Sequence, residues 1–451
     1  MRFCTMTLGC KVNQYETQAI EGILRERGHE TVTLGDGCNV CILNTCAVTA
    51  ESERKSRQLI RKMKKLEPDA MIAVCGCYSQ LDPKELENLD VDLIGGVYNR
   101  TKFAQKICNS DKTIDLSSQC IIEELPPGGT TNRTRALLKI QDGCDNFCTY
   151  CIVPYIRGRS RSLPLERVAE YTKQLEEQGY KEIVITGIEI SSYGKDFNKT
   201  GDGSLSYSTE KIRQRTVPCL TDEPSPCLTN LITAIKTISF TAPNTRLRLG
   251  SLDPAILTEE VCQKLSEIPN LCNHFHLSLQ SGCNATLRRM GRKYTTKQVL
   301  NNIQSIRKYF TDCGITADLI TGFPGETEDE FNQTLEFIKS AAFSDMHIFP
   351  YSLRPGTKAA KMPGQIDKSI KKDRARVAIE AASEMAKKFK CAQIGKTVEV
   401  LFEQFKNGFS TGHSGNYLEI SVSEDIERNT IQNIKITDLK NGRLTGKLFT
   451  K

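Results

Sequence analysis

The run Lys139-Ile140-Gln141-Asp142-Gly143-Cys144-Asp145-Asn146-Phe147-Cys148-Thr149-Tyr150-Cys151 constrains this chain more than any other stretch. An apolar, strand-like segment from Ala136 to Ile140 gives way to a glycine, and three cysteines follow as C-x3-C-x2-C. Spacers this short let successive thiolates reach one metal centre from a tight loop. Three thiolates on a four-iron cubane leave one iron without a protein ligand, and an open metal position is what a catalytic site needs. The competing readings are a zinc loop completed by a distant fourth ligand, and three cysteines that merely pack.

The rest of the cysteine usage fits metal chemistry better than disulfides. The chain has 19 cysteines in 451 residues, and Met1–Met6 lacks the apolar core of a signal peptide. A cytoplasmic protein is expected. No run of about 18 apolar residues occurs, so no membrane partner is expected. With 39% hydrophobic and 25% charged residues, the chain should fold as a soluble protein of two or three domains. Its net charge of +7 is only a weak pointer to a polyanionic partner.

From residue 1 to about 130, strands are expected at Arg2–Leu8, Val40–Leu43 and Met71–Val74. Helices between them run to about Arg27 and through Lys65. This alternation predicts a small parallel sheet with helices on both faces. Cys10, Cys46 and Cys77 then fall just past the carboxyl ends of three successive strands, the edge where open α/β sheets gather ligands. Three thiols meeting there suit a second iron–sulfur cluster; the plainer reading is small buried hydrophobes. By spacing alone, Cys38, Cys41 and Cys75 compete for the same role. Cys4, Cys108, Cys120, Cys262, Cys272, Cys283, Cys313 and Cys391 read as packing thiols.

The breaker-rich Pro126–Asn132 marks a boundary, and a second region spans 131 to about 390. Strands at Glu182–Thr186, Arg246–Leu249, His274–Leu279, Ala317–Thr321 and Met346–Pro350 are expected there. Helices at Leu165–Gly179, Thr296–Gly314 and Thr327–Ala341 separate them, which predicts a partial or full parallel barrel with its site at the strands' C-terminal ends. The polar residues 197–226 read as an inserted surface loop. Arg157, Arg159 and Arg161 suit a phosphate groove or the surroundings of a cluster, against the alternative of a solvated basic turn. A basic, helical segment, Gln365–Lys390, leads to residues 391–451. There, short alternating strands punctuated by Gly408, Gly412, Gly415 and Gly442 predict a small five-stranded β-barrel on the scale of RNA-binding modules.

These motifs carry a family resemblance. The C-x3-C-x2-C run with Tyr150 before its last cysteine resembles the signature of radical S-adenosylmethionine (SAM) enzymes. Gly9-Cys10-Lys11-Val12-Asn13, Asn44-Thr45-Cys46-Ala47-Val48 and Gly76-Cys77-Tyr78-Ser79-Gln80 resemble the three motifs of the methylthiotransferase amino-terminal domain. The last 60 residues resemble a TRAM domain, which contacts RNA.

The resemblance implies two 4Fe–4S clusters, one on Cys144, Cys148 and Cys151 that also chelates SAM, and an auxiliary one on Cys10, Cys46 and Cys77. It places Tyr150 near the adenine, Gly187 and Glu189 by the methionine part of SAM, and Ser251 on the ribose side. Gln280 and Gly322 join the SAM contacts through the matching segments His276–Gly282 and Gly322–Thr327. The chemistry implied is cleavage of SAM to a 5′-deoxyadenosyl radical and insertion of a methylated sulfur. A radical route suits a purine C2–H, which has no acidity for a general base to exploit.

Implied partners are the tRNA anticodon stem-loop and an electron donor such as flavodoxin or ferredoxin. Thr186-Gly187-Ile188-Glu189 resembles the branch acting on N6-threonylcarbamoyladenosine at position 37. Alternatives are isopentenyl-adenosine in tRNA or a ribosomal-protein aspartate as substrate, a radical SAM methyltransferase without sulfur insertion, and a non-catalytic iron–sulfur protein that binds RNA.

Overall fold

The computed structural model describes residues 1–111, 114–117, 121–127, 134–197 and 230–449. Cys120, Cys219, residues 128–132 of the linker and the insertion beyond Phe197 lie outside them.

Five parallel strands form the first sheet: β1 (Arg2–Thr7), β2 (Glu30–Thr31), β3 (Val40–Thr45), β4 (Met71–Gly76) and β5 (Leu93–Ile94), in the order β2-β1-β3-β4-β5. Period-two alternation sends side chains to two helix layers. Phe3, Val40, Ile42 and Ala73 meet Ile20 and Leu24 of α1 (Lys11–Glu26) on one face. Cys4, Cys41, Leu43, Ile72 and Val74 meet Ile60 and Met63 of α2 (Ala50–Leu66) on the other. Thr49 caps α2 by accepting from Ser52 N. The expected strands and helices are present, and the two-residue edge strands β2 and β5 were too short to show a periodicity.

The central region contains β6 (Arg135–Lys139), a small antiparallel pair β7 (Gln141–Asp142) and β8 (Arg161–Ser162), then β9 (Glu182–Thr186) and β10 (Arg246–Leu249). β6, β9 and β10 form one parallel sheet. A parallel bridge, Leu247–Leu271, leads on to a second sheet of β11 (Ser251–Leu252), β12 (His274–Gln280), β13 (Gly314–Thr321) and β14 (Asp345–Pro350). Among the described residues β6 and β14 do not pair, so the barrel is partial. Helix Lys368–Cys391 packs against β14 and α1 against β6, covering both open edges.

β15 (Thr397–Lys406), β16 (Phe409–Ser414), β17 (Glu419–Val422), β18 (Ile431–Lys440) and β19 (Arg443–Leu448) close into a five-stranded barrel. It docks on the N-terminal ends of the central strands. Arg248 donates to the carbonyls of Gly415 (2.9 Å) and Ser414 (3.1 Å), while its Nε donates to Glu182 (2.7 Å). Arg248 and Arg135 also lie over the Tyr417 ring. Burial alone would raise the Glu182 carboxyl, but Arg248, Arg246 and Arg135 hold it down at about 2. Among the described residues, no helix is long and apolar enough to cross a membrane.

Candidate functional site

The first cysteine trio is assembled by strand ends. Cys10 caps α1, Cys46 directly follows β3, and Cys77 opens the short helix after β4. Asn13 clamps two of these turns together, its Nδ2 donating to Leu8 O (2.9 Å) and Thr45 O (2.8 Å). Gly9 has φ +104°, and a Cβ there would stand 2.9 Å from Cys46 Cβ, so only glycine lets the two turns approach. The thiols of Cys10, Cys46 and Cys77 feel one another electrostatically. Burial pushes Cys77 up to about 12 and raises Cys46 as well.

The competitors lie elsewhere. Cys75 faces the α1 side, in the cluster with Phe3 and Ile20. Cys41 lies near the start of β3, and Cys38 precedes that strand, at the opposite end of the sheet. Of the cysteines read as packing thiols, Cys4, Cys262, Cys272, Cys283 and Cys313 are buried, Cys108 is half-buried and Cys391 exposed.

The second trio sits on one loop. Gly143 has φ +70°, and a Cβ there would lie 2.0 Å from the Arg159 carbonyl oxygen. Cys144 N donates to Gly158 O (3.1 Å) and Thr149 N to Met290 O (2.9 Å), which pins both ends of the loop. Asn146 N donates to Cys144 Sγ (3.5 Å) and Arg292 Nη1 to Cys148 Sγ (3.4 Å). Such bonds to sulfur tune an iron–sulfur cluster. Burial pushes Cys144 up to about 11 and Cys151 up to about 12, so a metal bound there must displace their protons. Three soft donors fit a cluster in each trio, and in the loop trio Asn146 and Arg292 add hydrogen bonds to sulfur.

Of the positions named for SAM, Tyr150 lies in this loop and Gly187 and Glu189 pack on Gln141 just before it. Glu189 is buried beyond β9; its amide donates to Gln141 Oε1 (2.8 Å), and burial, reinforced by Asp253, raises its carboxyl. Gly187 packs where a Cβ would lie 2.9 Å from Gln141 O. Ser251 is exposed at the start of β11, and Gln280 ends β12 with φ +68°. Tyr150 meets Phe323 edge-on at 6.4 Å, and Phe323 meets Tyr351 at 5.4 Å. Gly322 N donates to Glu326 Oε1 (2.9 Å), and its Cα faces Lys371 of the helix Lys368–Cys391. The segment ends in a capping box of Thr327 and Glu330, so helix capping is one of its roles.

A buried ionic cluster joins the two trios. Cys10 Sγ lies 3.9 Å from Asn13 Oδ1, which accepts from Arg157 Nη2 (2.7 Å). Arg157 Nη1 donates to Asp142 Oδ1 (3.1 Å), and that oxygen accepts from Gly143 N (2.8 Å), one residue before Cys144. Glu16 gathers Arg157 (2.8 Å), Arg100 (2.8 Å) and Lys139 (3.0 Å), all almost fully buried. Against a burial penalty, these cations hold Glu16 well below the usual carboxylate range. With Arg161 3.9 Å from Asp142, four cations thus face two carboxylates, Glu16 and Asp142, beside thiols that become anionic on binding metal. Arg157 also reaches the Cys77 thiol. Of the arginines read together in the sequence, Arg157 and Arg161 are buried and only Arg159 is solvated.

The sequence reading missed Arg292, Gln141, Glu16 and Arg100. Arg292 ties Cys148 to Asp253 (3.1 Å) and to the Ser278 carbonyl (3.1 Å). Gln141 ties the cysteine loop to the Glu189 loop by donating to Gly143 O (2.7 Å). Glu16 stands among polar residues of α1, Gln14, Thr17 and Gln18, so neither it nor Arg292 carried a local signal.

Known proteins bear on this geometry. A model of the Radical SAM superfamily matches residues 138–338, and one of the uncharacterized protein family UPF0004 matches residues 2–96. A threonylcarbamoyladenosine tRNA methylthiotransferase of Bacillus subtilis is 35% identical over 449 residues, covering 97% of this chain and 93% of the relative. A protein of the same description from Thermotoga maritima is 35% identical, covering 92% and 89%. A tRNA-2-methylthio-N(6)-dimethylallyladenosine synthase of Acetivibrio thermocellus is 32% identical, covering 99% and 90%. The solved radical SAM methyltransferase TsrM of Kitasatospora setae shares the fold at a TM-score of 0.54 and 14% identity, covering 80% of this chain and 75% of that one.

Proposed function

The chain belongs to the tRNA methylthiotransferase family of radical SAM enzymes, and on that premise we propose that it adds a methylthio group to C2 of N6-threonylcarbamoyladenosine at position 37 of tRNA. The observation that carries this reading is the pair of cysteine trios, one at strand ends and one on a loop, linked through Asn13, Arg157 and Asp142. Cys144, Cys148 and Cys151 would hold one 4Fe–4S cluster, and Cys10, Cys46 and Cys77 the other. When bound, the first supplies the electron for cleaving SAM and the second holds the sulfur to be transferred.

The chain's own residues do the rest. Arg157, Arg100 and Lys139 set positive charge between the trios, which offsets the thiolates' negative charge. Arg292 orients Cys148 and carries Asp253 to the same rim. Tyr150, backed by Phe323, and the buried Glu189 would screen the cysteine loop from water, as a radical reaction requires. Exposed Phe405 and Phe409 flank Lys406 at a hairpin of the C-terminal barrel and offer stacking faces to RNA.

The threonylcarbamoyl branch is supported by the Thr186–Glu189 loop and by relatives of that description. Mass spectrometry of tRNA nucleosides from cells with and without the gene tests it. Loss of 2-methylthio-threonylcarbamoyladenosine alone is expected; loss of the isopentenyl product instead would overturn the branch.

A further inference from the structure

Cys4, Cys38 and Cys41 form a third thiol trio, at the end of the N-terminal sheet opposite Cys10, Cys46 and Cys77. Cys4 and Cys41 are register partners in the adjacent strands β1 and β3, so their side chains leave one face side by side. Cys38 precedes β3, with its Sγ 3.3 Å from Cys41 Sγ and 3.7 Å from Cys4 Sγ. All three residues are buried, and their sulfurs lie within 4.8 Å of one another.

The loop that carries Cys38 is fixed by Glu67, whose carboxylate accepts from the amides of Gly35 (2.9 Å), Gly37 (3.0 Å) and Cys38 (3.1 Å). Among the described residues, neither active-centre trio is this compact, as expected if those thiols serve separate corners of a cubane. A spacing this small lets all three sulfurs reach one ion. Metal–sulfur bonds of about 2.3 Å at a tetrahedral angle put two sulfurs about 3.8 Å apart. The 3.3 Å and 3.7 Å separations need to widen only by about 0.5 Å and 0.1 Å to reach that value. A disulfide requires about 2.05 Å and would join only two of the three sulfurs. The surroundings are soft and apolar, with Met6 and Met63 in the same cluster.

We propose that Cys4, Cys38 and Cys41 bind one thiophilic d10 cation, Zn2+ or Cu+, as a structural site separate from the two active-centre trios. Binding breaks three S–H bonds, forms three metal–sulfur bonds and releases three protons to solvent, with no change of oxidation state. The ion ties β1 to β3 and to the loop before it. This site does not depend on the activity proposed above.

The test uses the protein reconstituted anaerobically with its iron–sulfur clusters. It is offered one equivalent of Zn2+ or, in a parallel arm, Cu+ under reducing conditions, then desalted and analysed for metal and by X-ray absorption. One zinc or copper per chain with sulfur ligands near 2.3 Å is expected. Retention should fall by more than about tenfold in Cys38→Ala at unchanged iron content, since losing even an outer-shell partner costs about that much. Should the variant lose iron as well, the wild-type absorption spectrum decides alone: sulfur ligands without iron neighbours support the site. The site is overturned if the wild type retains neither metal or the folded variant retains as much. Oxygen or nitrogen ligands, iron neighbours, or a Cys38–Cys41 disulfide in anaerobically isolated protein would overturn it equally.

Discussion

The two cysteine trios assigned to the proposed clusters are built by opposite routes. Cys144, Cys148 and Cys151 lie on one loop of eight residues, shaped by Gly143 and a few backbone hydrogen bonds. Cys10, Cys46 and Cys77 are separated by more than 30 residues each and meet only because β1, β3 and β4 run parallel and end at one edge. The loop trio depends on local backbone geometry, whereas the strand-end trio depends on the whole sheet. Disturbing the sheet should therefore empty one site before the other.

The largest separation is expected from the cysteines themselves. Cys148→Ala should abolish SAM cleavage and methylthiolation together. Cys46→Ala should abolish methylthiolation but leave 5′-deoxyadenosine formation, read by chromatography, largely intact. Equal loss of both activities in both variants would erase the distinction.

Arg157→Met comes next, because Arg157 serves both trios. It leaves Glu16 and Asp142 short of a buried cation, at a cost of about 3–5 kcal/mol. A clearly lowered melting temperature and loss of iron from both sites are expected; loss from one site only would show that the ionic cluster does not join them.

A somewhat smaller effect, up to about 3 kcal/mol, is expected from acid at the C-terminal docking contact, which touches neither trio. Glu182 titrates at about 2 in the folded protein against 4.5 ordinarily. A lowered carboxylate contributes stability that is complete above the ordinary value and is lost as pH falls toward the folded one. Melting temperature should therefore drop between about pH 4.5 and pH 2, and Glu182→Gln should flatten that part of the profile. The same slope in the variant would contradict the assignment.

Gly9→Ala should give the smallest change, about 1–3 kcal/mol of backbone strain confined to the strand-end trio. Iron analysis should show the auxiliary site depleted and the loop site full. Gly143→Ala should show the reverse.

These contrasts also explain what could be read from the residues alone. The loop trio was legible because its spacing is local. The strand-end trio was legible once the alternation of strands and helices placed Cys10, Cys46 and Cys77 at one edge, although spacing alone left Cys75 in contention. That ambiguity ended with the pleat: Cys75 points to the α1 face. Glu16 and Arg100 could not be foreseen, because their partners Arg157 and Lys139 lie far along the chain. Arg292 was hidden for the same reason. The docking of Tyr417 under Arg248 is a tertiary contact between two modules, and no local pattern encodes it.

Iron and sulfide analysis of anaerobically reconstituted protein, compared with the Cys10→Ala, Cys46→Ala, Cys77→Ala triple variant, probes the two-site arrangement most directly. About eight irons per chain in the wild type and about four in the variant are predicted. About four in both would mean that the strand-end trio holds no cluster, and the account would be wrong.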